Sequence, residues 1–194
     1  MIKRLSTFLT DYLIRKEIVS SEQRDVYLYG FDITIYTIIS TVGLVGIGII
    51  LGQFWNSLYM ITTLYVCQTH GGGYHANSHL RCFLTMAVGI SAGLSVQFFH
   101  IPDPIPIVIL GCSLLLLLLF PLVLHPNKQY LESKAKQLTR KSRLVTLFFF
   151  LFSLLILSCG LLKPSCIAVS FAIPALSRFV AFAKQHTRRC SHSK

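Results

Sequence analysis

Six apolar runs, at residues 31–52, 54–66, 83–99, 105–124, 144–162 and 165–183, follow one another along the chain. Most are close to the roughly 20 residues that carry a helix across the hydrocarbon of a bilayer. Hydrocarbon offers no water to unpaired N–H and C=O groups, so such runs must close their hydrogen bonds within helices. The links at 101–106 and 163–164 are very short, which predicts antiparallel hairpins on either side of them. The second run is short for a full span; it must tilt little, thin the bilayer or be partly re-entrant. Trp55, Tyr59 and Tyr65 around it suit a membrane interface. Gly48/Gly52 and Gly89/Gly93, each pair four apart, offer faces that a neighbouring helix can approach. The expected fold is all-α: a polytopic integral membrane protein with about six transmembrane helices in a single domain over residues 1–194. A composition of 53% hydrophobic and 13% charged residues, with mean hydropathy +0.63, excludes an ordinary soluble domain.

Residues 1–30 differ from the runs that follow. Asp11, Arg15, Lys16 and Glu17 interrupt any continuous apolar core, so the segment is not read as a cleavable signal peptide. Leu5, Phe8, Leu9, Tyr12 and Leu13 recur at helical spacing, with Lys3, Arg4, Arg15 and Lys16 about them. That pattern predicts an amphipathic helix lying in the membrane interface, or one packed on the protein's own spans.

The 18 Lys+Arg and 7 Asp+Glu give a net charge of +11. With the N-terminus cytoplasmic and six spans, every basic residue except Lys163 falls on the cytoplasmic side. Such charge sets topology and attracts anionic lipid headgroups, and no nucleic-acid partner is expected. Both termini and the segment between the second and third runs are then cytoplasmic.

That segment, residues 68–82, reads Gln-Thr-His-Gly-Gly-Gly-Tyr-His-Ala-Asn-Ser-His-Leu-Arg-Cys and is where chemistry is concentrated. On one straight helix His75 and Cys82 would stand about 10.5 Å apart along the axis, beyond the roughly 3 Å that a nucleophile and its base require. Asn77 or Ser78 is a good N-cap, however. A helix beginning there leaves His75 on the preceding loop and sets Cys82 about one turn in. The helix dipole and the adjacent Arg81 then favour the thiolate. Gly71, Gly72 and Gly73 let the loop fold back and offer N–H groups to a developing oxyanion. This is the pattern of a cysteine peptidase with Cys82 as nucleophile and His75 as its base, and such chemistry calls for no cofactor and no metal.

Two alternatives use the same residues. A helix beginning near Tyr74 would align His75, His79 and Cys82 on one face, with His70 nearby, as a zinc set. A non-enzymatic membrane module would use the glycines only for a tight turn. The other cysteines, Cys67, Cys112, Cys159, Cys166 and Cys190, read as small hydrophobes or as thiols on the reducing side. Cys159 and Cys166 flank the outer hairpin and are placed to pair.

Gly-Gly-Gly-Tyr-His-Ala followed by Cys82, with six residues between His75 and Cys82, closely resembles the accessory gene regulator B (AgrB) family of bacterial quorum-sensing peptidases. The resemblance extends to the basic amphipathic N-terminus, a Pro126-Asn127-Lys128 loop, and a basic run ending Arg140-Lys141-Ser142-Arg143. It implies a thiol protease of the bacterial cytoplasmic membrane, acting as a homodimer. Its Cys82, assisted by His75, removes the C-terminal tail of a small AgrD-type precursor on the way to a cyclic thiolactone or lactone autoinducing peptide. Family members often place an arginine shortly before the glycines; here Gln68, Thr69 and His70 stand there. Precursors of the family carry an acidic C-terminal region and an amphipathic leader. In the 125–143 loop, Lys136, Arg140 and Arg143 fall on one helical face, widened by Lys134 and Lys141. That face is expected to bind the acidic tail, or else to serve only as a topology signal at the headgroups.

Overall fold

The computed structural model describes residues 2–72, 78–99, 101–102, 104–120 and 132–192, and for 132–135 and 185–192 it describes the backbone alone. The regular elements among the described residues are all helical: α1 (Ile2–Arg15), α2 (Arg24–Ile50), α3 (Phe54–Gly71), α4 (His79–Ser95), α5 (Pro104–Leu119), α6 (Glu132–Ser158) and α7 (Pro164–His192). Short 3₁₀ turns at Ser21–Gln23 and Val96–Phe98 precede α2 and follow α4.

Four of these elements are long and apolar enough to cross a membrane, over Ser21–Ile50, His79–Phe98, Lys136–Ser158 and Pro164–Lys184. Apolar α5, at 16 residues, spans about 24 Å, short of the hydrocarbon thickness if it stands alone. Large apolar side chains along the helices, among them Val42, Ile50, Val88, Phe148 and Leu155, are exposed. Surfaces of this kind aggregate in water and are at home in lipid. The protein is an all-α membrane protein.

The chain divides into two compact units, Met1–Gly46 and Ile47–Lys194. Within the first, Arg24 at the start of α2 donates to the Asp11 carboxylate of α1, Nη2 to Oδ1 at 3.0 Å. The buried residues of α1 are Ser6 and Thr10, whose hydroxyls donate to the carbonyls of Ile2 and Ser6 and so need no outside partner. Leu5, Phe8 and Tyr12 are exposed instead, Phe8 at 58%. The amphipathic stripe read from the sequence is present, and it faces outward.

The second unit is built round α7, which packs on α3, α4, α5 and α6. Half of its apolar window is buried, against 17% in each of the other three. Small residues explain the position: Ala168, Ser170, Ala175 and Ala181 are buried along α7 and let neighbouring backbones come close. Phe171 fills the middle of the core with Cys67, Leu110, Leu117 and Ile167. Lipid is as apolar as these side chains, so their contribution comes from close packing rather than from escape from water.

Two sequence expectations change here. Tyr59 is not an interface anchor: its hydroxyl donates to Ser153 Oγ on α6 at 2.6 Å and its ring stacks on Phe149. Trp55 alone keeps the exposed character expected of an interface residue. Of the glycine pairs, Gly48 and Gly93 are both tight contacts: a Cβ on Gly48 would meet Ser57, and one on Gly93 would meet Met60 and Val169. Gly52 has φ +66° with open space around it, so it serves the turn into α3 rather than a helix contact.

Candidate active site

Cys82 lies in α4, one turn from its start, and is partly buried. The start of that helix is set by Ser78, whose backbone is extended (φ −142°, ψ 150°) and whose Oγ accepts the N–H of Arg81 at 3.3 Å. Ser78 is thus the N-cap anticipated from sequence, and its carbonyl accepts the N–H of Cys82 at 3.0 Å. The preceding helix α3 stops at Gly71, and Gly72 turns the chain with φ +65°, ψ 174°, a conformation open to glycine. No single helix therefore runs from the glycines to Cys82.

The end of α3 and the start of α4 share one end of the bundle. Gln53, capping the opposite end of α3, donates from Nε2 to the carbonyl of Leu94 near the end of α4 at 3.0 Å. Met60 packs against Gly93, again joining the early part of α3 to the late part of α4. The two helices are antiparallel, so the connection that holds His75 in its sequence joins neighbouring ends. His75 itself and Gly73 lie outside the described residues.

At that same end sits a basic residue that its place in the chain marks only as a topology charge. Arg178, in α7, is 2% exposed. Its Nη1 donates to the carbonyl of Leu117 in the last turn of α5 at 2.6 Å, and Nη2 to the carbonyl of Cys67 in α3 at 3.3 Å. Ser142 Oγ of α6 lies 3.5 Å from Nη2, and Arg178 Nε has no partner among the described residues. The neighbouring Ser177 faces Gln68, whose Nε2 lies 3.4 Å from its Oγ. A Cβ placed on Gly71 would overlap the Arg178 guanidinium. A charged residue within an apolar run is a functional signal in its own right. Lying close to the end of the run at 165–183, Arg178 is counted by the positive-inside pattern among the cytoplasmic charges.

Several site expectations can now be placed. Gly71 is the last residue of α3, and the Gly72 N–H donates to the Gln68 carbonyl at 2.9 Å, so these two amides are engaged in ending α3 rather than pointing at an oxyanion. A helix beginning near Tyr74, which the zinc arrangement of His75, His79 and Cys82 required, is replaced by one beginning at His79 behind the Ser78 cap. His70 turns back on its own helix, with Nδ1 3.1 Å from the Val66 carbonyl. Lys136, Arg140, Lys141 and Arg143 are all exposed on α6, while Ser142 and Thr146 form its buried side. The Pro126-Asn127-Lys128 loop lies outside the described residues. Cys159 and Cys166 are free thiols, and Cys112 and Cys159 are exposed rather than buried.

Ser142 has a further consequence. It stands between Lys141 and Arg143 in the chain and meets Arg178 and, through it, the last turn of α3. The basic turns of α6 and the approach to Cys82 therefore occupy the same end of the bundle.

A family model described as "AgrB: Accessory gene regulator B" matches residues 6–180. No curated protein and no solved structure matches the chain.

Proposed function

The chain belongs to the accessory gene regulator B family, which gives it a role in agr quorum sensing on an AgrD-type peptide, and from that premise we propose that it is a membrane-embedded cysteine endopeptidase. The observation that carries the reading is the break between α3 and α4: α3 ends at Gly71, Ser78 caps a new helix, and Cys82 sits one turn into it. A thiol and an imidazole seven residues apart can meet only across such a break.

In the reaction, the Cys82 sulfur attacks the carbonyl at the C-terminal side of the future signal peptide, and His75 takes the thiol proton and returns it to the departing amine of the tail. The remainder is held as a thioester on Cys82. A Cys or Ser side chain of the precursor then attacks that thioester, closes a thiolactone or lactone, and restores the Cys82 thiol. For a thiolactone, one thioester is exchanged for another at little energetic cost, and loss of the tail helps to draw the sequence forward. General acid–base help of this kind contributes about 10²- to 10⁴-fold in rate.

The rest of the chain supports this chemistry. The six apolar runs act as spans, with both termini and Cys82 on the cytoplasmic face of the bacterial membrane. The outward stripe of α1, with Leu5, Phe8 and Tyr12, lies in the interface. Lys136, Arg140, Lys141 and Arg143 bind the acidic tail of the precursor while its leader lies in the membrane, and the enzyme works as a homodimer. Mass spectrometry of a precursor co-expressed with wild-type, His75→Ala and Cys82→Ala chains tests the proposal. Wild type should release the tail and both variants should not; a fully processed product from Cys82→Ala would overturn it.

A further inference from the structure

We infer that Arg178 is a positioning residue for this reaction, clamping the C-terminal end of α3, four residues before His75 in the chain; the inference rests on the peptidase reading above. An arginine 2% exposed within an apolar helix needs compensation for its charge. No carboxylate supplies it: among the described residues the one ion pair is Arg24–Asp11. Compensation comes from backbone carbonyls near the C-termini of two helices, Leu117 of α5 at 2.6 Å and Cys67 of α3 at 3.3 Å. Leu117 belongs to the last turn of α5, whose carbonyls the helix leaves open, Cys67 lies just before the last turn of α3, and each helix C-terminus carries about half a negative charge. The two helix ends together offset part of the guanidinium charge.

The same contact explains Gly71. Its missing side chain is the space that the Arg178 guanidinium occupies. With Gln68 lying on Ser177, consecutive residues of α7 grip consecutive residues of α3. Gly72 turns the chain immediately beyond this grip, so the path toward His75 begins one residue past the clamp. Cys82 stands on α4, whose start is fixed by the Ser78 cap and whose other end packs on Met60 of α3 at Gly93. Releasing the clamp therefore frees the end of α3 from which the chain leads, four residues on, to His75, and leaves the start of α4 capped. Lysine is no substitute, because one ammonium lacks the planar fork that bridges carbonyls on two helices.

The test uses the full-length enzyme in detergent or vesicles with a synthetic AgrD-type precursor. It compares Arg178→Lys, Arg178→Ala, Gly71→Ala and the double variant Arg178→Ala/Gly71→Ala with wild type, Cys82→Ala and His75→Ala. Folded sites are counted by stoichiometric alkylation of Cys82, read by mass spectrometry. Per folded site, Arg178→Lys and Gly71→Ala should lower kcat by about tenfold or more, as expected for a base displaced by about 1 Å, with KM for the precursor within about twofold of wild type. The pH profile of Cys82 alkylation should move toward that of His75→Ala, which loss of global stability alone would not produce. Gly71→Ala should add nothing once Arg178 is alanine, because the clashing guanidinium is gone. Wild-type kcat per folded site in both Arg178→Lys and Gly71→Ala, with Cys82→Ala inactive, would overturn the clamp and leave the peptidase standing. Undiminished processing by Cys82→Ala would remove the peptidase reading itself.

Discussion

The hydroxyl of Ser78 accepts the backbone N–H of Arg81 at 3.3 Å, and this one bond decides where α4 begins and hence where on it Cys82 stands. An N-cap of this type contributes about 1 kcal/mol. Ser78→Ala should fray the first turn and lower precursor turnover by up to about fivefold, whereas Ser78→Asp, an equally good cap, should stay near wild type. Turnover assays together with amide exchange across His79–Cys82 check both variants. Wild-type protection and turnover in Ser78→Ala would mean that the cap does not hold the cysteine.

Charge reversal on the exposed face of α6 should act on binding. The double variant Arg140→Glu/Lys141→Glu should raise KM for an acidic-tailed precursor by about tenfold, a loss of about 1.4 kcal/mol, while membrane insertion and Cys82 alkylation are unchanged. Rising salt should narrow the gap between variant and wild type, because these side chains are exposed and screened. Equal KM values at low salt would leave the basic run with a topological role only.

Close approach at Gly93 gives a stability prediction that can be read without substrate. A side chain there meets Met60 and Val169, so Gly93→Val should overpack the α3/α4/α7 contact and cost about 1–3 kcal/mol. Gly111, in α5, has nothing within 4 Å of where its Cβ would stand, and Gly111→Ala should change stability by less than about 0.5 kcal/mol or raise it slightly. Thermal unfolding in detergent separates the two. Equal melting temperatures for both variants would show that the Gly93 contact is not made.

The exposed stripe of α1 should hold the N-terminal segment to lipid. Replacing Leu5, Phe8 and Tyr12 together by serine removes most of its outward apolar surface, and an environment-sensitive probe placed at Leu9 should report transfer from the interface to water. The Arg24–Asp11 pair is exposed on both sides, and breaking it alone should have a small effect, about 1 kcal/mol at most. An unchanged probe signal in the triple variant would return α1 to packing on the protein itself.

What could be read from residues alone was whatever depends on near neighbours in the chain. Long apolar runs demand helices, so the helical class and its membrane setting were legible from hydropathy, and the broad positions of α2, α4, α5, α6 and α7 with them. Capping is equally local: a serine followed by three residues of a new helix announces the start of α4. The stripe of α1 followed from spacing, but the direction it faces did not.

The contacts that shape the Cys82 end of the bundle were decided only when the helices packed. Arg178 meets the carbonyl of Cys67 across 111 positions of chain, and no periodicity or composition links those two residues. Near the end of an apolar run an arginine looks like a headgroup anchor; it is buried instead because the C-terminal parts of α3 and α5 bring carbonyls to it. Tyr59 likewise exchanged the interface for Ser153, and Gly71 proved to be small for the sake of a guanidinium rather than of a turn. Local sequence determines where each helix starts, stops and is apolar, since those follow from bonds within four residues. Which polar group is left needing which partner is a property of the assembled bundle, where a buried charge or carbonyl must find its complement on another helix.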